Sequence, residues 1–87
     1  MKNHLTNARI RLVTKESIFE EDVWSFEKLG YTEDERPSGQ NNMSFNDIQQ
    51  PWLRERFKEI VWRKRTSVQA YTLISYVRIG KSLSKFL

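Results

Sequence analysis

The segment 51–87 constrains the fold most, because it carries two runs of apolar residues at helical spacing, separated by a short polar break. The spacing predicts one helix from Pro51 to about Arg65 and a second from about Val68 to the end of the sequence. Proline suits the first turn of a helix, where its missing N–H costs no hydrogen bond. The apolar stripe of the first helix consists of Leu53, Phe57, Ile60 and Val61.

Polar residues are expected to mark both helix starts. Ser44 is followed by Asp47 three residues later, which is the spacing of a capping box. Thr66 or Ser67 is expected to cap the second helix. Trp62 falls on the polar side of the first helix, where it is predicted either to pack beneath the N-terminal segment or to face a partner.

The second helix is apolar over roughly two thirds of its circumference, more than the narrow stripe of the first helix is able to cover. Either the N-terminal half folds over it, through Val23, Trp24 and Phe26, or its cover lies beyond residue 87. The second alternative is favoured, and it makes the chain a piece of a longer protein that self-associates when isolated. The apolar residues of this helix are Ala70, Leu73, Ile74, Tyr76, Val77, Ile79, Leu83, Phe86 and Leu87.

The first half of the chain has weaker patterns. ARIRLVT, residues 8–14, alternates apolar and polar residues and is typical of a short strand. EEDVWSFEKLGY, residues 20–31, fits either a helix closed by Gly30 or a strand that pairs with residues 9–13. The N-terminal segment is therefore expected to be either α-helical or a short β-hairpin.

A polar stretch separates the two halves. Residues 32–42 contain Pro37 and Gly39 but no large apolar side chain, a composition typical of a mobile linker. The predicted organisation is a leader over residues 1–31, this linker, and the first two helices of a DNA-binding domain over residues 43–87.

The charge is divided unevenly within a chain of 87 residues, which is long enough for one small domain. Residues 51–87 contain nine Lys or Arg and two Glu, a net +7, whereas residues 1–50 contain six basic and nine acidic residues, a net −3. A basic segment joined to a weakly acidic one indicates a polyanion partner. A merely solvated helix surface is the other interpretation.

Composition excludes several classes of function. The chain has no cysteine and a single histidine, His4, so no disulfide, metal site or other cofactor is expected. It contains no glycine-rich phosphate loop and no nucleophile elbow, and an enzyme active site is not expected. No apolar run reaches the roughly 18 residues of a membrane span, and the N-terminus lacks a signal-peptide core. We expect a cytoplasmic protein without a membrane partner.

The basic break between the two helices is the best candidate site. Cations bind DNA phosphates, and short polar side chains at a helix start reach base edges in the major groove. Tyr71 and Tyr76 are not predicted to be nucleophiles, since Tyr76 lies at a core position and Tyr71 has no activating base. The candidate DNA-binding residues are Arg63, Lys64 and Arg65 for phosphates, Gln69, Tyr71, Thr72 and Ser75 for the groove, and Arg78 and Lys81 as flanking cations.

The second helix resembles one from a known family. It reads Thr72-x3-Tyr76-x3-Gly80-x2-Leu83-x2-Phe86-Leu87. This is similar to Thr-x3-Tyr-x3-Leu-x2-Phe-x2-Phe-Leu, found in the SAM-like core-binding domain of tyrosine recombinases, the phage integrase and transposase family. The sequence departs from this pattern at Gly80, where that family has a large apolar residue; glycine costs a helix about 1 kcal/mol relative to Ala, which leaves open how tightly this helix packs.

Two upstream stretches add to the resemblance. DVWSFEKLG, residues 22–30, and MSFNDIQQPWLRERFKEIVWRKR, residues 43–65, are similar to the leader and first helix of recombinases carried by transposons and plasmids. Those proteins show an Asp-x-Trp…Leu-Gly element and then Phe-x-Asp-Ile-x-x-x-Trp-Leu before a basic helix. The likeness covers about residues 20 to 87.

The resemblance implies a mainly α-helical fold, a fragment of a SAM-like core-binding bundle from a bacterial mobile genetic element. In that family the helical bundle and a catalytic domain clamp duplex DNA for recombination. This chain would be the non-catalytic front part, with the Arg, His-x-x-Arg and nucleophilic Tyr of the catalytic domain beyond residue 87. Its implied partners are duplex DNA, that catalytic domain and other recombinase protomers. The alternative is a helical protein-interaction module, including a homodimer, that pairs through the apolar face of residues 70–87.

Overall fold

The computed structural model describes residues 14–87, which form a mainly α-helical unit with a small antiparallel sheet. Most of the stretch predicted to be a strand, residues 8–13, lies outside the described residues. The elements in chain order are α1 (Lys15–Phe19), β1 (Val23–Ser25), a 3-10 turn (Glu33–Glu35), β2 (Asn42–Ser44), α2 (Pro51–Lys64) and α3 (Ala70–Phe86).

The ambiguous segment 20–31 contains a strand rather than a helix. Strand β1 pairs antiparallel with β2, with Trp24 opposite Met43, and pairing with residues 9–13 lies outside the described residues. After β1 the chain turns, and it leaves the turn at Gly30, whose φ of 98° favours glycine. The described part of the N-terminal segment therefore contains both a short helix, α1, and one strand of a hairpin, whose second strand around Met43 was not predicted.

Residues 26–41 form the hairpin connection between the two strands, so most of the predicted linker, 32–42, lies in this connection and Asn42 begins β2. Thr32 and Glu35 form a capping box around the 3-10 turn, in which the Thr32 backbone N–H donates to the Glu35 carboxylate over 2.8 Å. Where the strands lead into the connection, the Phe26 N–H donates to the Asn41 carbonyl over 2.9 Å. Buried residues before and after this stretch belong to one hydrophobic cluster. The leader and the two helices thus share a core.

The two predicted helices are confirmed at 51–64 and 70–86, but their expected caps are wrong. Ser44 ends β2, and its hydroxyl accepts a hydrogen bond from the Asn46 N–H over 3.1 Å instead of starting α2. Gln50 precedes α2 and Gln69 precedes α3, and neither side chain caps its helix. The Pro51 signal was the reliable one, because proline acts through its own backbone geometry.

Helix α1 and the hairpin cover one side of the α2–α3 pair. Trp62 packs edge-on against Phe19 and Trp24, with ring centroids 6.4 and 6.5 Å apart. The first alternative for Trp62, packing beneath the N-terminal segment, is thereby confirmed. The core comprises Ile18, Trp24, Phe26, Leu29, Tyr31, Met43, Phe45, Ile48, Leu53, Phe57, Val61, Ala70, Leu73 and Val77.

A buried lysine fastens the hairpin layer to α2. The Lys58 ammonium donates to the Phe19 carbonyl over 2.8 Å and to the Asp22 carboxylate over 3.0 Å. Arg54, one turn earlier, lies 3.6 Å from the same carboxylate. The Lys58 hydrogen bond, and the positive charges of Lys58 and Arg54, lower the pKa of Asp22 despite partial burial. The Asp22 carboxylate therefore stays ionised where it meets these cations.

At Gly80 helix α3 packs closely against its neighbours, so the glycine does not loosen the packing there. A Cβ at this position would lie 2.7 Å from Ile48 Cδ1 and 3.0 Å from the Phe57 ring. Glycine lets the α3 backbone approach side chains that a larger residue would displace. The same face of α3 also buries Ser84, whose hydroxyl accepts from the Gln49 N–H over 2.9 Å.

The N-terminal half covers only this face of α3. Trp24 and Phe26 are fully buried, whereas Val23 points outward and is 42% exposed. Apolar side chains on the outer face of α3 remain open to solvent: Ile79, Leu83, Phe86 and Leu87.

Candidate nucleic-acid interface

The turn between α2 and α3 exposes two of the three predicted phosphate-binding cations. Helix α2 ends at Lys64, and its last carbonyl accepts hydrogen bonds from the Ser67 and Val68 N–H groups over 2.9 and 3.2 Å. Arg63 and Lys64 are exposed. Within residues 14–87 neither side chain forms a salt bridge, so both are free to meet an anion.

Arg65 is held differently. Its guanidinium stacks on the Trp62 ring at 3.6 Å from the centroid and donates to the Trp62 carbonyl. Trp62 itself is wedged against Phe19 and Trp24. Because a stacked guanidinium keeps in-plane N–H donors, Arg65 is a cation in a fixed position at the edge of the turn.

The start of α3 brings four of the predicted residues together. Gln69 is exposed at the N-cap position and makes no capping hydrogen bond, so its amide is available to a ligand. Tyr71, Ser75 and Arg78 follow within about 60° of one another around the helix, at about 100° per residue. All three are exposed, and the Ser75 hydroxyl donates to the Tyr71 carbonyl over 3.2 Å. The surface formed by Arg63, Lys64, Arg65, Gln69, Tyr71, Ser75 and Arg78 is called the turn surface below.

Thr72 and Lys81 lie away from the turn surface. Thr72 is half-buried and sits about 100° around the helix from Tyr71, on the side of the outer apolar residues. The Lys81 ammonium lies 3.7 Å from the carboxylate of Asp47, which follows the hairpin. The predicted set therefore divides in space, although its members are close in sequence.

A cavity of about 490 Å³ opens beside the turn surface, and sequence reasoning missed it. It lies between the hairpin connection and the start of α3, where the Tyr31 hydroxyl donates to the Val68 carbonyl over 2.7 Å. Burial raises the pKa of Tyr31, the negative charge of Glu35 adds to the rise, and Arg65 opposes it. The Tyr31 hydroxyl therefore keeps its proton and this hydrogen bond at neutral pH.

Arg36 brings a further cation to this cavity from the stretch predicted to be a linker. Its Nη2 donates to the Tyr31 carbonyl over 3.3 Å, while its Nε is buried without a hydrogen-bond partner in the described structure. No sequence signal pointed to Arg36, because it follows the acidic run Glu33–Glu35 and sits far from the basic turn in the chain.

The hairpin connection gives the interface an acidic border. Asp34 and Glu35 line the cavity near Tyr71. Hydrogen bonds from the Thr32 backbone N–H and hydroxyl lower the pKa of Glu35, so it remains an anion. A polyanion meeting the turn surface is repelled on this side, which favours an approach centred on Arg63 and Lys64.

No candidate metal centre accompanies this surface in residues 14–87. Within that range no three His, Cys, Asp or Glu residues are grouped in a way that could hold a metal ion. None of the helices there combines the length and the apolar character needed to cross a membrane. In comparisons with known proteins, no family model, no curated protein and no solved structure matches this chain.

Proposed function

We propose that the chain is the DNA-binding, non-catalytic front part of a tyrosine-type site-specific recombinase. The observation that carries the proposal is the Arg63–Lys64 pair at the end of α2, which is exposed and forms no salt bridge within residues 14–87, just before the turn that leads to α3. In this proposal α2 and α3 are the first two helices of a SAM-like core-binding bundle. The catalytic domain belongs to the same parent chain, and other protomers join on the DNA in the bacterial cytoplasm.

The turn surface has the parts that duplex recognition needs. Arg63 and Lys64 neutralise backbone phosphates and displace counterions, which makes binding steeply salt-dependent. The first N–H groups of α3 and its positive dipole end attract an anion, an effect that Asp34 and Glu35 oppose because they line the same cavity as Gln69 and Ala70. Gln69 has a free amide at this end of the helix, a group suited to a bidentate contact with adenine.

The test is the affinity of the 87-residue chain for duplex DNA, measured by fluorescence anisotropy over a range of salt concentrations. Arg63→Ala/Lys64→Ala is expected to weaken binding to every duplex and to flatten the slope of log K against log salt by up to about 1.8, or 0.9 per lost phosphate contact. Arg65 is left in place because its removal would also disturb Trp62.

Lys15→Ala/Lys28→Ala is the matched control. It removes the same two positive charges from exposed side chains that are paired with Glu59 and Glu21 on the hairpin side. The control should keep most of the affinity and slope. Equal losses of affinity in both variants would show that only the net charge matters. Unchanged affinity of the Arg63/Lys64 variant would show that the turn surface does not bind DNA.

Base recognition is tested separately through Gln69→Ala. If the Gln69 amide contacts a base edge, the variant should bind its preferred sequence less tightly by about 1–3 kcal/mol and other sequences almost unchanged. The same loss on every sequence would instead assign Gln69 to backbone contact.

A further inference from the structure

The outer face of α3 carries an apolar stripe that the hairpin leaves open. Tyr76, Ile79, Leu83 and Phe86 lie within about 80° of one another around the helix, at about 100° per residue. Ile79, Leu83 and Phe86 are 53%, 44% and 87% exposed. Exposed apolar side chains in a continuous row, unlike single ones, mark a surface that binds something.

The stripe borders a valley between α3 and α2. Gly80 meets Phe57 of α2, and Lys81, on one side of Gly80, pairs with Asp47 near the hairpin. Tyr76 lies on the other side of Gly80 and is half-buried against the core. The α2 residue in the corresponding position is Ile60, which is also half-buried and lies about 160° around its helix from the hairpin-facing Lys58. Ile60 and Tyr76 are therefore recessed between two helical ridges.

The margin of this valley on α2 is basic. Arg56 and Arg63 are both exposed. Around the helix, Arg56 lies about 40° from Ile60 and Arg63 about 60° from Ile60, in the same direction. Within residues 14–87 neither guanidinium forms a salt bridge. Of the two acidic residues in 51–87, Glu59 pairs with Lys15. The other, Glu55, lies about 140° around α2 from Ile60. Within residues 14–87 the open side thus combines an apolar floor with two cations that form no ion pair.

From this arrangement we infer that the valley binds an amphipathic helix of another protein, one with an apolar face and with Asp or Glu along the edge that meets Arg56. A groove between two helices is the shape that receives such a helix, through anchors spaced i, i+3 or i+4, and i+7. A second copy of this chain fits the valley poorly, because it would bring its own cations against Arg56 and Arg63. The recessed Ile60 and Tyr76 suit an inserted ridge of side chains better than a flat lipid surface.

The test uses two synthetic peptides of about 18 residues, roughly the length of α3. Both carry Leu anchors on one face; one has Glu along the flanking positions and the other has Lys. Binding to the full 87-residue chain is measured by anisotropy of labelled peptide. The Glu peptide should bind, and the Lys peptide should bind about tenfold or more weakly.

Variants locate the binding surface. Leu83→Ser should weaken the Glu peptide about tenfold or more, whereas Ser82→Ala, next to it on the polar side, should leave binding unchanged. Arg56→Glu should exchange the preference, so that the Lys peptide binds better than the Glu peptide. Ile79→Ser tests a second residue of the apolar stripe and should also weaken the Glu peptide. Circular dichroism checks that each variant keeps its helical fold.

Several outcomes would overturn the inference. Equal binding of both peptides, or binding insensitive to Leu83→Ser and Ile79→Ser, would exclude a helix held in this valley. A dimer in sedimentation that Leu83→Ser abolishes would assign the stripe to a second copy. Binding to phosphatidylserine vesicles that Leu83→Ser abolishes, without peptide binding, would assign it to a membrane surface. Because Arg56, Ile79 and Leu83 are outside the turn surface, failure here leaves the DNA test unaffected.

Discussion

The two sides of the α2–α3 pair both carry apolar side chains but differ in whether another part of the described chain covers them. On the hairpin side, Trp24 is fully buried, 4.8 Å from the Phe45 ring and 5.3 Å from the Phe19 ring. Its indole N–H donates to the Glu21 carbonyl over 2.9 Å. This side is close-packed around the Trp24 ring.

On the open side, Leu83 and Phe86 have no cover within the described structure. Leu83 and Phe86 are three residues apart, and the buried Leu73 and Val77 are four apart, so each pair lies on one face of the helix. The difference teaches that the apolar face of a helix is defined by its neighbours as well as by its own periodicity. A closed side supports the fold, and an open one is available for binding.

The largest effect that separates the two sides is expected from aromatic truncation. Trp24→Ala removes a fully buried side chain and should lower the free energy of unfolding by about 3–5 kcal/mol, as measured by urea titration. Phe86→Ala removes a side chain that is 87% exposed and should change it by no more than about 0.5 kcal/mol.

The free energy of unfolding of a small domain is only a few kcal/mol, so a loss at the upper end of this range leaves Trp24→Ala without a cooperative unfolding transition in urea. Trp24→Phe, which keeps most of the apolar volume, then provides a measurable intermediate loss. A cost for Phe86→Ala as large as that for Trp24→Ala would contradict the comparison, because it would mean that the outer side of α3 is covered in solution.

The sequence was sufficient for the elements that a single periodicity determines. Helix α2 followed from a proline at its first position and one apolar stripe, and α3 followed from a long apolar run. The pairing of β1 with β2, which are distant in the sequence, could not be predicted from a periodicity. Nothing in the sequence around Met43 distinguishes a strand partner for Trp24 from the start of a helix, because residues 32–41, the part of the connection that precedes β2, contain no large apolar residue that would place the two segments side by side.

The candidate site was only partly predictable for a related reason. Arg63 and Lys64 stand out from the sequence because they are adjacent and basic. By contrast, the salt bridge between Lys81 and Asp47 depends on how the hairpin folds against the helices. The same is true of the position of Arg36 beside the turn. Helix propensity could not show how α3 packs at Gly80, because propensity describes the helix alone, whereas the Ile48 and Phe57 side chains decide what fits there.

Lys58 and Arg56 allow an intermediate test, since they are two residues apart on α2 and face opposite sides. Lys58→Met keeps the apolar stem but leaves the Phe19 carbonyl without its donor, and should cost about 1–3 kcal/mol of unfolding free energy. Arg56→Met removes an exposed, unpaired cation and should change stability by less than about 0.5 kcal/mol. Urea titrations of both variants make the comparison, and an equal cost for the two would show that Lys58 does not fasten the hairpin.

The smallest expected effect concerns Asp22, which joins the hairpin layer to Lys58 and Arg54. Because its pKa is lowered in the folded state, Asp22 stabilises the fold at pH values above its ordinary pKa of about 3.9. This contribution is lost as the pH falls through the lower folded value. The side chain is 38% exposed, so solvent screening should limit the effect to less than about 1 kcal/mol.

The measurement compares the unfolding free energy of the parent chain with that of Asp22→Asn between pH 7 and pH 2. The two curves should differ most near neutral pH and converge in acid, where the parent carboxylate is also uncharged. Asp47→Asn is the control: its carboxylate is 77% exposed and 3.7 Å from Lys81, so its curve should follow that of the parent throughout. A constant gap for Asp22→Asn down to pH 2 would mean that the substitution acts through packing. No gap at all would mean that the hairpin is held without this ion pair, by the Lys58 bond to the Phe19 carbonyl and the aromatic contacts of Trp24.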